Sequence, residues 1–226
     1  MTPATPPRTL TRKTLLEGAR LLAARDRDLA RLLHRIGQPP LWGRRPGFQA
    51  LIRIILEQQV SLAAALTMYR RVELRLGGVT PEIIGAAGAE GLRRIGLTRQ
   101  KAAYCHGLAT RLLDGSLHLG SVARAPDDLG RVALLGVPGL GPWSVDIYYL
   151  MALRRPDVWP QGDLALSVAL REVKRLPSLP TRDEQLVHAN RWAPWRSVAA
   201  RILWAHYLTT RGVRVQAVRF EPSPRA

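Results

Sequence analysis

Two glycines one residue apart, Gly139-Leu140-Gly141, interrupt an apolar stretch and lead at once into Pro142, an order that few chain geometries accommodate. Leu134-Leu135-Gly136-Val137-Pro138 brings an apolar segment to an end, the glycines permit a tight turn, and Pro142 suits the first position of a new helix. The expectation is a helical hairpin at about residues 130–153. Backbone N–H groups at such a turn can approach a phosphate closely, and the helix N-terminus behind them adds its positive dipole end. Taken alone, a GxG between helices is equally well explained by an ordinary corner in an all-α domain. Further along the chain, Pro160-Gln161-Gly162-Asp163-Leu164-Ala165-Leu166 places one aspartate where it could act chemically or could merely cap the next helix.

Charge points toward the same kind of partner. There are 34 Lys+Arg against 17 Asp+Glu, a formal net charge of +17, so a polyanion is the expected ligand. A bias toward Arg, Ala, Leu and Gly codons explains part of that excess. The single cysteine, Cys105, can form no intramolecular disulfide and cannot hold an iron–sulfur cluster. The histidines His34, His106, His118, His188 and His206 are scattered without metal-ligand spacing, so neither a catalytic metal nor a cofactor is expected. No apolar run approaches the ~18 to 20 residues of a membrane span, and Met1 to Arg8 lacks a signal peptide's apolar core. These features suggest a cytoplasmic protein with no membrane partner.

Between a Pro/Thr-rich start, residues 1–11, and a tail at 219–226, both expected to be flexible, the 3.6-residue period dominates. Leu15, Leu16, Ala19, Leu22 and Ala23 mark one helical face; Leu29, Leu32, Leu33 and Ile36 mark another, ending at Gly37. Phe48 to about Val60 is strongly apolar, and Ser61 can cap Leu62 to Leu76 before Gly77-Gly78. Thr80-Pro81 opens a helix, Gly88 to Ile95 holds another, and Thr98 can cap Arg99 to Leu113. Helices are also expected at Pro126 to Gly136, at Pro142 to Leu153, from residue 182 behind the capping box Thr181-Arg182-Asp183-Glu184, and at Val198 to Leu208. Val213 to Val218 reads as a short strand or an extended tail. The fold class is all-α, with 12–218 as one helical domain made of two lobes.

Four segments in order resemble a known family: Ile55-Leu56-Glu57-Gln58-Gln59-Val60-Ser61; Ile95-Gly96-Leu97-Thr98-Arg99-Gln100-Lys101-Ala102; the hairpin through Asp163; and Arg191-Trp192-Ala193-Pro194-Trp195-Arg196-Ser197 with Trp204. Together they are similar to the helix-hairpin-helix DNA glycosylases, and within them to the AlkA-type 3-methyladenine-DNA glycosylase II branch. The resemblance implies two helical lobes with the active-site cleft between them. It also implies a monomer acting on damaged double-stranded DNA in base excision repair. Because the residues preceding Trp42 are few and helical in pattern, the N-terminal β subdomain of larger relatives is expected to be lacking.

By this resemblance Asp163 is the catalytic aspartate, stabilising positive charge that develops on the sugar and orienting the attacking water. Trp143 stands where lyase-active relatives carry a Schiff-base lysine, which implies a monofunctional enzyme that leaves an abasic site. Trp143 and Trp204 are expected in the base pocket, with Ile147 replacing an aromatic found in some relatives. Gln59, with Gln58 alongside, is the expected wedge that fills the gap left by the extruded nucleotide. Gly139, Gly141 and Ser144 are expected to hold the lesion-strand phosphate, with Thr98 and Lys101 anchoring the backbone nearby. A monovalent cation could bridge hairpin carbonyls near Gly136 and Gly139. The competing readings are a non-catalytic DNA-binding module and a sister glycosylase for oxidised or mismatched bases; Pro194-Trp195-Arg196-Ser197 disfavours the latter.

Overall fold

Polar side chains set where most of the helices begin. The computed structural model describes residues 8–215 and 218. In chain order the elements are α1 (Arg12–Arg25), α2 (Arg27–Ile36), α3 (Phe48–Glu57), α4 (Leu62–Leu76), α5 (Pro81–Arg94), α6 (Arg99–Leu113), α7 (Leu119–Arg124), α8 (Asp127–Leu135), α9 (Pro142–Ile147), a π-helical stretch (Tyr148–Ala152), α10 (Leu164–Lys174), α11 (Arg182–Asn190) and α12 (Arg196–Thr209). Thr11, Asp26, Ser61, Thr80, Thr98, Asp163 and Thr181 each accept a backbone N–H from the first turn they precede. Each such cap stabilises its helix by about 1 kcal/mol. The expected capping box at Thr181 and Glu184 is present.

The chain divides into two compact units, one of residues 1–44 with 149–226 and the other of residues 45–148. In the second, α3 is buried almost all round through Phe48, Ala50, Leu51, Ile52, Ile54, Ile55 and Leu56, and it packs against α4, α6 and α9. In the first, α12 is the central helix, buried continuously from Ser197 to His206 and packed on α1, α2, α10 and α11. Each buried Leu or Ile contributes about 1.5–3 kcal/mol, so these two helices dominate their cores.

Some expectations are revised. The helices expected at Thr80-Pro81 and at Gly88 to Ile95 are both present in the stretch labelled α5, separated by non-helical backbone at Gly88 (φ 64°, ψ 170°). The helix expected to reach Leu153 is α-helical only to Ile147 and widens to π geometry from Tyr148. Beyond the unit boundary its carbonyls are claimed from elsewhere: the fully buried Arg201 donates to Leu150 O at 3.0 Å, and the Arg44 N–H donates to Met151 O at 3.0 Å. The start of the chain is held from Arg8 onward, because Leu10 is fully buried and its N–H donates to Arg154 O at 2.8 Å. Residues 1–7 and 219–226 of the expected flexible ends lie outside the described residues, as do 216 and 217. Among the described residues there is no strand, and Val215 sits in a 3₁₀ turn instead.

Trp192 and Trp195 belong to the core of the first unit. Trp195 lies against Gly18, where a Cβ would come within 2.6 Å of the indole. Trp192 Nε1 donates to Asp26 Oδ2 at 2.8 Å. Asp26 also caps α2 and binds Lys174 Nζ through both oxygens at 2.9 and 2.8 Å, while Lys174 reaches Asp28 at 2.7 Å. Burial alone would raise the Asp26 carboxyl, but the bonds from Lys174 and Trp192 outweigh it and hold the group below the ordinary carboxylate range. A depressed folded pKa gives stability that is present above the unfolded value, about 3.9, and is lost as pH falls through the folded one. Asp26→Asn is therefore expected to lower stability at pH 7 by about 1–3 kcal/mol and to flatten the acid limb of a urea-midpoint series below about pH 4. An unchanged acid limb would contradict the assignment.

Candidate functional site

The hairpin is built as its sequence requires. After α8, the Val137 N–H donates to Leu134 O and the Leu140 N–H to Val137 O, both at 3.0 Å, which makes two successive tight turns. Val137 and Leu140 point inward and are buried. Gly139 between them has φ +92°, and a Cβ there would lie 2.3 Å from Cγ of Tyr104, whose ring on α6 backs the turn. Glycine is thus demanded both by the backbone and by the neighbour. Gly141, the N-cap of α9, is extended (φ −79°, ψ 177°) and exposed, and no atom lies within 4 Å of the place a Cβ would take. The open face that a phosphate could approach is therefore at Gly141 and the start of α9.

Several expected contacts are redirected into the protein. Gln58, first residue after α3, does not extend freely beside Gln59: its Nε2 donates to Gly139 O at 2.7 Å and to Ser144 Oγ at 2.9 Å. The Gly139 carbonyl, expected at a cation, therefore accepts a hydrogen bond from Gln58, and the Ser144 hydroxyl, expected on a phosphate, is buried against the same side chain. Lys101, expected on the DNA backbone, is also buried; its Nζ donates to Leu56 O at 2.7 Å and closes the last turn of α3. Burial lowers this ammonium's pKa from the ordinary lysine value. Thr98 is exposed and caps α6 by accepting the Lys101 N–H at 3.3 Å. Gln59 is exposed in the turn between α3 and α4 with φ +59°. Trp143 and Ile147 stand four residues apart on α9 and so share a face; Ile147 is buried and Trp143 half-buried.

The first unit carries Asp163. Gly162 (φ +78°) allows the turn in which the Asp163 N–H donates to Pro160 O at 3.3 Å, and Asp163 then caps α10. Its Oδ1 accepts two hydrogen bonds, from the Leu166 N–H at 2.9 Å and from Trp204 Nε1 at 3.1 Å. The segment leading to this turn is stitched to the start of α12: Arg196 binds Asp157 through Nε and Nη2, both at 2.8 Å, and Ser197 Oγ accepts from Val158 N and donates to Val158 O. The Arg196-Ser197 pair thus anchors the loop that presents Asp163. Sequence reasoning placed Trp204 in the pocket but missed its bond to Asp163, and it missed Tyr104 altogether, since no spacing rule links a residue on α6 to a turn 35 positions later. Among the described residues, no group of three or more His, Cys, Asp or Glu could hold a metal, and no helix is long and apolar enough to cross a membrane.

The family described as HhH-GPD superfamily base excision DNA repair protein matches residues 52–196. The chain belongs to that superfamily. The structure is similar to that of 3-methyladenine DNA glycosylase Mag1 of Schizosaccharomyces pombe, solved in complex with abasic DNA, with TM-score 0.78 and 26% identity over 86% of this chain and 97% of that one. In sequence it is 27% identical over 165 residues to Bacillus subtilis YfjP, covering 70% of this chain and 58% of the relative. It is 32% identical over 164 residues to the Mycobacterium tuberculosis protein named "Probable bifunctional transcriptional activator/DNA repair enzyme AlkA", covering 68% of this chain and 32% of the relative. The alignments thus span less than two thirds of those two relatives' lengths.

The inward position of Lys101 has a measurable consequence. Lys101→Met should leave the slope of log K against log[salt] for duplex DNA unchanged, whereas loss of a phosphate contact would reduce that slope by about 0.9. The same substitution strands the Leu56 carbonyl and should cost about 1–3 kcal/mol of stability in a denaturant titration. A reduced slope with unaltered stability would return Lys101 to the surface role.

Proposed function

We propose that this protein is a monofunctional DNA glycosylase that extrudes alkylated bases such as 3-methyladenine and 7-methylguanine from duplex DNA and hydrolyses their N-glycosidic bonds. The observation that carries the reading is the fixed carboxylate of Asp163. In the proposed reaction the base departs with the bonding electrons, positive charge develops on the sugar, and the aspartate stabilises that charge while orienting the water that attacks C1′. Two N–H donors on one oxygen restrain the carboxylate before substrate arrives, so little reorganisation accompanies the step. Trp204 acts here as a positioning residue as well as a pocket aromatic.

Cationic methylpurines are better leaving groups than normal bases, and stacking on Trp143 or Trp204 would favour them by cation–π attraction of ~0.5 to 2 kcal/mol. Ile147, in place of an aromatic, leaves the face of α9 that it shares with Trp143 less aromatic. The +17 net charge supplies the sequence-independent attraction to the DNA backbone. Gly141, the start of α9 and the Thr98 cap are the proposed phosphate contacts, and Gln59 is the proposed wedge.

The absence of a lyase step is supported by where the lysines are. The chain has three: Lys101 is bound to Leu56 O, Lys174 to Asp26 and Asp28, and Lys13 is exposed on the first turn of α1. Trp143 occupies the hairpin position where a Schiff-base lysine would stand. Borohydride is accordingly expected to trap no covalent protein–DNA adduct, and strand breaks should appear only after heat or alkali. An efficiently trapped adduct would refute the monofunctional reading.

Release of free base from methylated duplex DNA tests the proposal, with Asp163→Asn as the decisive variant. Asparagine is as good an N-cap as aspartate, so the substitution removes charge while keeping the helix start. Loss of a transition-state interaction should lower excision by at least about 10²- to 10³-fold, with duplex binding kept or tightened. Excision within a few-fold of wild type would exclude Asp163 as the catalytic group.

A further inference from the structure

The turn between α3 and α4 and the glycine hairpin are separated by some 80 residues of chain, yet one side chain joins them. Gln58 Nε2 reaches both arms of the hairpin: the Gly139 carbonyl at the turn and Ser144 Oγ in the first turn of α9. Lys101 Nζ in turn holds the Leu56 carbonyl, two residues earlier. Next to the first of these restraints Gln59 is exposed and left-handed at φ +59°, a conformation that costs side-chain-bearing residues other than Asn and Asp and that Arg154 and Arg175 share. A turn selected for stability alone would place glycine there. A side chain kept on a strained corner, immediately after a residue bonded to the hairpin, is one whose position matters.

We propose that Gln58 is a positioning residue that locks the phosphate-binding hairpin and the intercalating turn into one rigid piece, fixing the distance between gripped phosphate and inserted Gln59 before DNA binds. The proposal rests on the glycosylase reading. Its logic is geometric. An enzyme that holds a backbone phosphate and fills the gap of an extruded nucleotide selects which nucleotide leaves by the spacing between those two contacts, and misplacement by about 1 Å can cost 10²-fold in rate. Gln58 does not touch DNA in this scheme; it acts through Gln59. The donor groups of its amide are essential, because both partners are acceptors in this arrangement.

The test compares Gln58→Met, which keeps the length and removes the donors, and Gln58→Glu, which turns a carboxylate toward the Gly139 carbonyl, with Gln59→Ala and the Gln58→Met/Gln59→Ala double variant. In the free protein, amide hydrogen exchange across residues 139–144 should quicken in both Gln58 variants. Flipping, read by 2-aminopurine fluorescence beside the lesion, and single-turnover excision should fall about 10- to 100-fold, more for Glu than for Met, while binding to undamaged duplex is unchanged. The double variant should excise no more slowly than Gln59→Ala alone, since a residue acting only through Gln59 has nothing left to position. Multiplicative losses in the double variant, or wild-type exchange and excision in Gln58→Met, would overturn the proposal. Should either Gln58 variant fail to fold, Ser144→Ala removes one of the two acceptors and should reproduce the same non-additivity with Gln59→Ala at smaller amplitude. Wild-type base release in the same assay judges the glycosylase reading separately, because hydrogen exchange reports on the clamp whether or not the protein excises a base.

Discussion

The close approach of Gly139 to the ring of Tyr104 is the constraint on which the second unit's site depends. A positive φ at Gly139 turns the chain between two buried anchors, Val137 and Leu140, and the ring occupies the space where any other residue would carry its side chain. With the turn seated in that way, the Gly139 carbonyl faces Gln58, Ser144 lies in the next helix with its hydroxyl on the same amide, and Gly141 is left open. A shift in the turn would break all three relations together. The surface proposed to face phosphate is therefore mostly backbone, and the polar side chains of Gln58 and Ser144 near it hydrogen-bond to the hairpin or to one another.

In the first unit the restraints converge on one oxygen. Asp163 Oδ1 takes the capping bond from Leu166 and the indole N–H of Trp204. An N-cap contributes about 1 kcal/mol, too little against a domain stability of about 5–15 kcal/mol for its loss to look like an inactive enzyme. Capping and the proposed catalysis are thus separable by magnitude, although both would use one carboxylate. Trp204 in turn is fixed by its place on α12, whose start is tied through Arg196 and Ser197 to the loop carrying Asp163.

Much of this was legible in the sequence because it is local. Caps at Ser61, Thr98, Thr181 and Asp163, the glycine hairpin, and the apolar faces of α3 and α12 are all set by residues within one or two turns. The bonds that were not legible share a different origin. Lys101 looks like a surface cation at a helix start, but its ammonium satisfies a carbonyl 45 residues earlier. Ser144 and Gln58 look like independent DNA contacts, yet they bond to one another across 86 residues. The π-helical stretch comes after a helix-favouring sequence, and one of its carbonyls, that of Leu150, is taken by Arg201, some 50 residues away. Periodicity and capping rules report on neighbours along the chain; bonds between distant polar groups depend on packing that those rules do not see.

If the Asp163 carboxylate stabilises positive charge on the sugar as the base leaves, it must also recognise a stable molecule that carries the same charge. Affinities are therefore to be compared for duplexes carrying either a cationic azasugar, which mimics that charged state, or a neutral tetrahydrofuran abasic analogue. Wild-type protein should bind the cationic mimic at least about 10²-fold more tightly, and Asp163→Asn should bind the two alike. Equal affinities in the wild type, or a preference that survives the substitution, would contradict this role for Asp163.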